Sequence, residues 1–111
     1  MALNPPKLLV SGNLIDATNE TLYTVGPNLN TLITQATLHN TSASARVVTV
    51  WVGASAVDAT QRFKRTVLAY DTVDIDGVVG TMIPAASLII AVCDTASAVS
   101  ISVSGTEFAT P

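Results

Sequence analysis

The chain has 111 residues and a mass of 11.4 kDa, room for one domain core and not two. Its formal net charge is -3 and only 12% of its residues are charged, against roughly 25% in an ordinary globular chain, so an electrostatic footprint for nucleic acid is missing. Hydrophobic residues make up 49%, but the longest apolar run, Leu88 to Cys93, is far short of the about 20 residues a membrane helix needs, and a soluble protein is expected. Cys93 is alone, which excludes an internal disulfide framework. The opening Met1-Ala2-Leu3-Asn4-Pro5-Pro6-Lys7 lacks the basic and then apolar pattern of a secretory signal, so the expectation is a protein used without export.

Thr, Val, Ser and Ala dominate while Lys and Glu are scarce, a composition that suits pleated, half-buried strands better than surface helices. Pro5 and Pro6 keep residues 1–6 extended and remove backbone donors, which predicts an N-terminal arm. Lys7 to Ile15 reads as a first strand, with Leu8, Val10 and Leu14 on one parity. Asp16 to Glu20 reads as a turn, Thr21 to Val25 as a short strand and Gly26 to Asn30 as a loop. Thr31 to His39 alternates, with Leu32, Thr34, Ala36 and Leu38 on one side, and the small polar stretch Asn40 to Ala45 breaks it.

Arg46 to Gly53 carries Val48, Val50 and Val52 on one face and Val47, Thr49 and Trp51 on the other, so it is expected in the middle of a sheet. After a loop from Ala54 to Thr60, Gln61 to Ile75 is β-prone and long enough to need a bend or bulge. Asp76-Gly77, flanked by Val73, Ile75, Val78 and Val79, has the chemistry of a type I′ hairpin turn. Pro84 ends the returning strand, Ser87 to Asp94 reads as a strand covered on both faces, and Ala98 to Glu107 alternates Val99, Ile101 and Val103 against serines. About eight strands without an amphipathic helix predict an all-β, two-sheet antiparallel sandwich, jelly-roll-like, over residues 7–107, with 108–111 as a C-terminal tail.

The residues that carry chemistry are few. His39 is the sole histidine and stands at a strand end without a serine elbow, so it reads as an ordinary strand terminus, and no catalytic set is expected. Cys93 and His39 do not make a metal site, and Cys93 reads as a small buried hydrophobe. Asp71, Asp74 and Asp76 lack the spacing and terminal glutamate of a calcium loop and read as an acidic sheet edge; neither metal nor cofactor is expected. Gln61-Arg62-Phe63-Lys64-Arg65 holds three of the five basic residues. It reads either as a solvated strand with Phe63 turned inward or as a protein-docking patch. Trp51 reads as core rather than as a sugar-stacking platform.

The segments Leu14-Ile15-Asp16-Ala17, Leu22-Tyr23-Thr24-Val25-Gly26-Pro27, Leu32-Ile33, Leu38-His39-Asn40-Thr41-Ser42 and Val47-Val48-Thr49-Val50-Trp51, with the ending Ser102 to Glu107, resemble small β-sandwich structural proteins of tailed bacteriophage virions. Length and Thr/Ala/Val composition are most similar to capsid decoration proteins, the cement or staple proteins of short-tailed phages. That resemblance implies a non-enzymatic protein made in the bacterial cytoplasm and placed on the outer capsid, clamping neighbouring major-capsid subunits, with a homodimer favoured and neither nucleic acid nor membrane as partner. It directs attention to Pro5, Pro6, Arg62, Phe63, Lys64, Arg65 and Phe108 as contacts. The competing expectations are a neck or tail position in the same virion, or a carbohydrate-binding module using Trp51, Tyr23 or Tyr70.

Overall fold

The computed structural model describes residues 6–110, and the fold is an all-β sandwich of two antiparallel sheets. Its strands are β1 (Lys7–Leu14), β2 (Glu20–Thr24), β3 (Leu29–Asn40), β4 (Arg46–Gly53), β5 (Gln61–Val67), β6 (Thr72–Asp74), β7 (Met82–Ile83), β8 (Leu88–Cys93) and β9 (Val99–Ala109). One sheet runs β1-β9-β3-β6, with β7 also on β3; the other runs β2-β8-β4-β5. The pairings nest: β1 with β9, β2 with β8, β3 with β6 and β7, β4 with β5. This is one long antiparallel hairpin, tipped at β4 and β5, rolled until β9 lies beside β3 and β8 beside β4, which is the wiring of a jelly roll.

Period-two patterning builds the core between the sheets. Val48, Val50 and Val52 of β4 face Ile33, Ala36 and Leu38 of β3 and Val99, Ile101 and Val103 of β9, all nearly sealed from solvent. Each fully buried Val, Ile or Leu contributes about 1.5–3 kcal/mol over its exposed state. Bulges adjust the phase. Register shifts on either side of Val10, with Gly12 at φ +62°, turn Leu8 and Leu14 outward, so they do not share the buried face of Val10 as their parity predicts. A shift between Ile33 and Gln35 likewise places Thr31 and Ile33 inward ahead of Ala36 and Leu38, and leaves Leu32 on the outer face.

Three expectations are corrected. The β-prone stretch from Gln61 divides into β5 in one sheet and β6 in the other, joined by a turn through Leu68–Asp71. Asp76-Gly77 is no hairpin turn: neither residue has positive φ, and β6 and β7 lie in line along β3 instead of pairing with each other. The segment between them makes successive turns, Val78 N–H to Ile75 O at 3.2 Å and Thr81 N–H to Val78 O at 3.2 Å. Glycine is needed at Gly77 because a Cβ there would run into the carbonyl oxygen of Arg62 on β5, where this segment closes the side of the sandwich. Finally, Phe108 and Ala109 are strand, paired with Asn30 and Leu29, and not tail.

Candidate docking surfaces

Burying one face of each sheet leaves the outer faces to meet other molecules, and residues paired across strands share a face. On the outside of β2-β8-β4-β5, Thr21, Ile90 and Trp51 form one row, Val92, Thr49 and Lys64 the next, and Val47 with Thr66 a third. Ile90 is 6% and Thr49 7% exposed although both face outward, because their neighbours cover them; Trp51, Val92 and Leu88 are half-buried and Val47 is exposed. Trp51 therefore belongs to an apolar plateau on the outer face, not to the core, since it alternates with the inward Val50 and Val52.

The basic cluster borders this plateau without acting as one patch. Lys64 lies beside Thr49 on the outer face and is exposed. Arg62 occupies the bulge where Trp51 pairs with Gln61, and its guanidinium reaches Ala59 O at 3.3 Å. Phe63 is buried against Val50's strand at 7% exposure, and the Arg65 guanidinium caps its ring 5.3 Å from the centroid. Of the two readings of this cluster, the one with Phe63 turned inward holds: the ring fills the core and is not accessible as the contact the resemblance implies, while Lys64 and Arg65 are exposed on opposite faces of β5.

A second apolar patch sits on the outer face of the other sheet. Thr106, Leu32 and Met82 form a row across β9, β3 and β7, with Leu8 beside Ser104 on one side and Phe108 beside Asn30 on the other. Leu8 is 55%, Met82 50% and Phe108 36% exposed, while Thr106 in their midst is 7% exposed. The register shift between Leu8 and Val10 puts Leu8 on this outer face beside Ser104 while Val10 stays inward, and so adds Leu8 to the patch. Pro6 is exposed and leads directly into it; Pro5 and the rest of the expected arm, residues 1–5, lie outside the described residues, as does Pro111.

The same end of the sandwich is closed by a polar clasp. Tyr23 of β2 donates its hydroxyl to Glu107 Oε2 at 2.6 Å and accepts from Thr31 Oγ1 at 2.8 Å, and Lys7 ion-pairs with the second oxygen of Glu107. Burial, and then the hydrogen bond to Glu107, raises the Tyr23 phenol above its ordinary pKa. The hydrogen bonds from Lys7 and Tyr23 hold the Glu107 carboxyl below the usual range. This clasp ties both sheets together at the point where the chain enters β1.

The remaining chemistry-bearing residues stand apart. His39 is half-buried on the outer face with Nδ1 2.7 Å from Thr72 Oγ1. Asp71, Asp74 and Asp76 are exposed along the β6 edge beside an open groove of about 370 Å³ lined by Thr34, Gln35, Ala36, Asp74, Asp76 and Val79. Cys93 is buried as expected, and burial raises its thiol pKa. Comparison of the chain with known family models, curated proteins and solved structures gives no match.

Proposed function

We propose that this chain is a non-enzymatic virion structural protein that decorates and stabilises a tailed-phage capsid by binding across neighbouring major-capsid subunits. One observation carries the reading: both outer faces of the sandwich, not one, present apolar side chains, the Trp51 plateau on one layer and the Leu8-Leu32-Met82-Phe108 patch on the other. Apolar patches of this kind, one with an aromatic and a cation at its border, are the anatomy of protein interfaces. Two of them on opposite layers suit a molecule held between two neighbours. The low charge of the chain adds little repulsion to close packing. A homodimer would double the contacts, and simultaneous engagement would raise avidity by a factor of about 10² to 10⁴ where spacing matches.

The test is to add purified protein to shells of the virus whose genome encodes it, assembled without it, and to count copies per particle. Saturable binding at a copy number matching the capsid lattice, weakened at least about tenfold by Trp51→Ser, is the expected result. A few copies confined to the neck or tail would assign it there instead, and no binding would reject the proposal.

A further inference from the structure

The connection from β5 to β6 holds the two most exposed large apolar side chains of the described structure, Leu68 at 62% and Tyr70 at 64%. Tyr70 has φ +57°, a left-handed conformation that costs a bulky residue and that Asn or Gly adopts far more easily. The strain persists because the turn is fixed from beneath. Asn40, fully buried, donates its amide to Val67 O at 3.0 Å and to Leu68 O at 3.2 Å, its backbone N–H bonds Asp71 O at 2.9 Å, and Asp71 N–H closes the turn on Leu68 O at 3.1 Å. Asp71 accepts in turn from Thr72 N–H at 2.9 Å. A rigid turn thus carries two apolar side chains into solvent, at the opposite end of β3 from the Leu32 patch, where strain and exposure have no benefit to the isolated fold.

We propose that Leu68 and Tyr70 form a preorganised plug that seats in an apolar pocket of the partner protein, a pocket rimmed by cationic groups. This rests on the decoration reading and adds a third contact to it. The rim follows from charge: Asp71 directly follows Tyr70, Asp74 stands three residues further along β6, and both are exposed. A second copy is a poor host, because the open groove on this chain is bordered by Asp74 and Asp76 and would repel the plug's own carboxylates. Those carboxylates also oppose docking on an anionic bilayer. Ordering cost is low because the turn is already fixed, so the contact converts into affinity efficiently.

The experiment measures binding of wild type, Leu68→Ser, Tyr70→Asn and the double variant to the same protein-free shells, with a melting curve for each. The expected result is a Tm for Tyr70→Asn equal to or above wild type, since Asn relieves the backbone, with shell affinity reduced at least about tenfold in each single variant. Asp74→Asn is expected to make binding less sensitive to salt. Wild-type binding that the double variant matches overturns the plug alone. A marked fall in the Tm of Tyr70→Asn overturns it too, because Tyr70 would then be serving the fold. Absence of wild-type binding overturns the decoration reading and the plug with it.

Discussion

Asn40 offers the sharpest test of how the loops at one end of this sandwich are held. Its side chain is 0% exposed and the two N–H groups of its Nδ2 are shared among three carbonyls, Ser44 O at 2.8 Å, Val67 O at 3.0 Å and Leu68 O at 3.2 Å. Its Oδ1 accepts from Ser42 N–H at 2.9 Å and Ser42 Oγ at 2.7 Å. Truncation in Asn40→Ala strands these partners. A net hydrogen bond is worth about 1 kcal/mol and a buried group left unpaired costs about 1–3 kcal/mol. The bond to Val67 O is buried and the others are partly reached by water, so the expected total is about 3–4 kcal/mol. That is a third or more of the stability of a typical domain, and at about 4 °C per kcal/mol it lowers Tm by about 12–16 °C.

Asn40→Asp separates hydrogen bonding from size. It replaces the donor by an acceptor facing three carbonyls, so the folded-state carboxyl pKa is raised above its unfolded value. Stability in this variant is therefore greatest below the unfolded carboxylate pKa and is lost as pH rises through the raised folded value. Urea unfolding monitored by far-ultraviolet circular dichroism between pH 3 and 8 reads both effects. A loss below about 1 kcal/mol for Asn40→Ala, or an Asn40→Asp variant that is less stable in acid than at neutrality, would show that Asn40 does not anchor these loops.

Gly77→Ala drives a methyl into the Arg62 carbonyl, so it should cost about 1–3 kcal/mol in thermal unfolding; an unchanged Tm would contradict the close approach. Glu107 has a lowered carboxyl pKa, so the clasp contributes above the ordinary glutamate pKa and is lost as pH falls through the lowered value. Glu107→Gln should flatten that acid limb, by no more than about 1 kcal/mol because Lys7 is largely exposed, and an unaltered pH profile counts against the clasp. Tyr23, raised in pKa, should lose its contribution only above the ordinary phenol range, which an alkaline titration of tyrosinate absorbance would show. Trp51 should be readily quenched by acrylamide in the free protein and protected once shells are bound; a quenching curve typical of a sealed indole would return it to the core.

Much of the architecture was legible because alternation is a local property. β4, β8 and β9 could be read directly: Val48, Val50 and Val52, the run Ile89 to Cys93, and Val99 to Val103 each carry their burial in their spacing. What escaped were features set by partners distant in the chain. The bulges around Val10 are a register matter between β1 and β9, and they decide that Leu8 faces solvent. Asp76-Gly77 has the composition of a hairpin, yet its glycine answers to Arg62 across the sandwich, a contact that local turn chemistry does not encode. Trp51 reads as core from its place in the apolar Val47 to Val52 segment, yet its parity with Val47 and Thr49 puts it on the face opposite Val50. Tyr70 could be named from sequence only as one of three aromatics, and Leu68 not at all, since exposure and φ at their turn depend on Asn40, about thirty residues away.

The most direct measurement is an electron cryomicroscopy reconstruction of shells saturated with this protein. The expected density has Trp51 and Lys64 on one layer, and Leu8, Met82 and Phe108 on the other, both covered by capsid subunits. A bound sandwich with both of these faces open to solvent would contradict it.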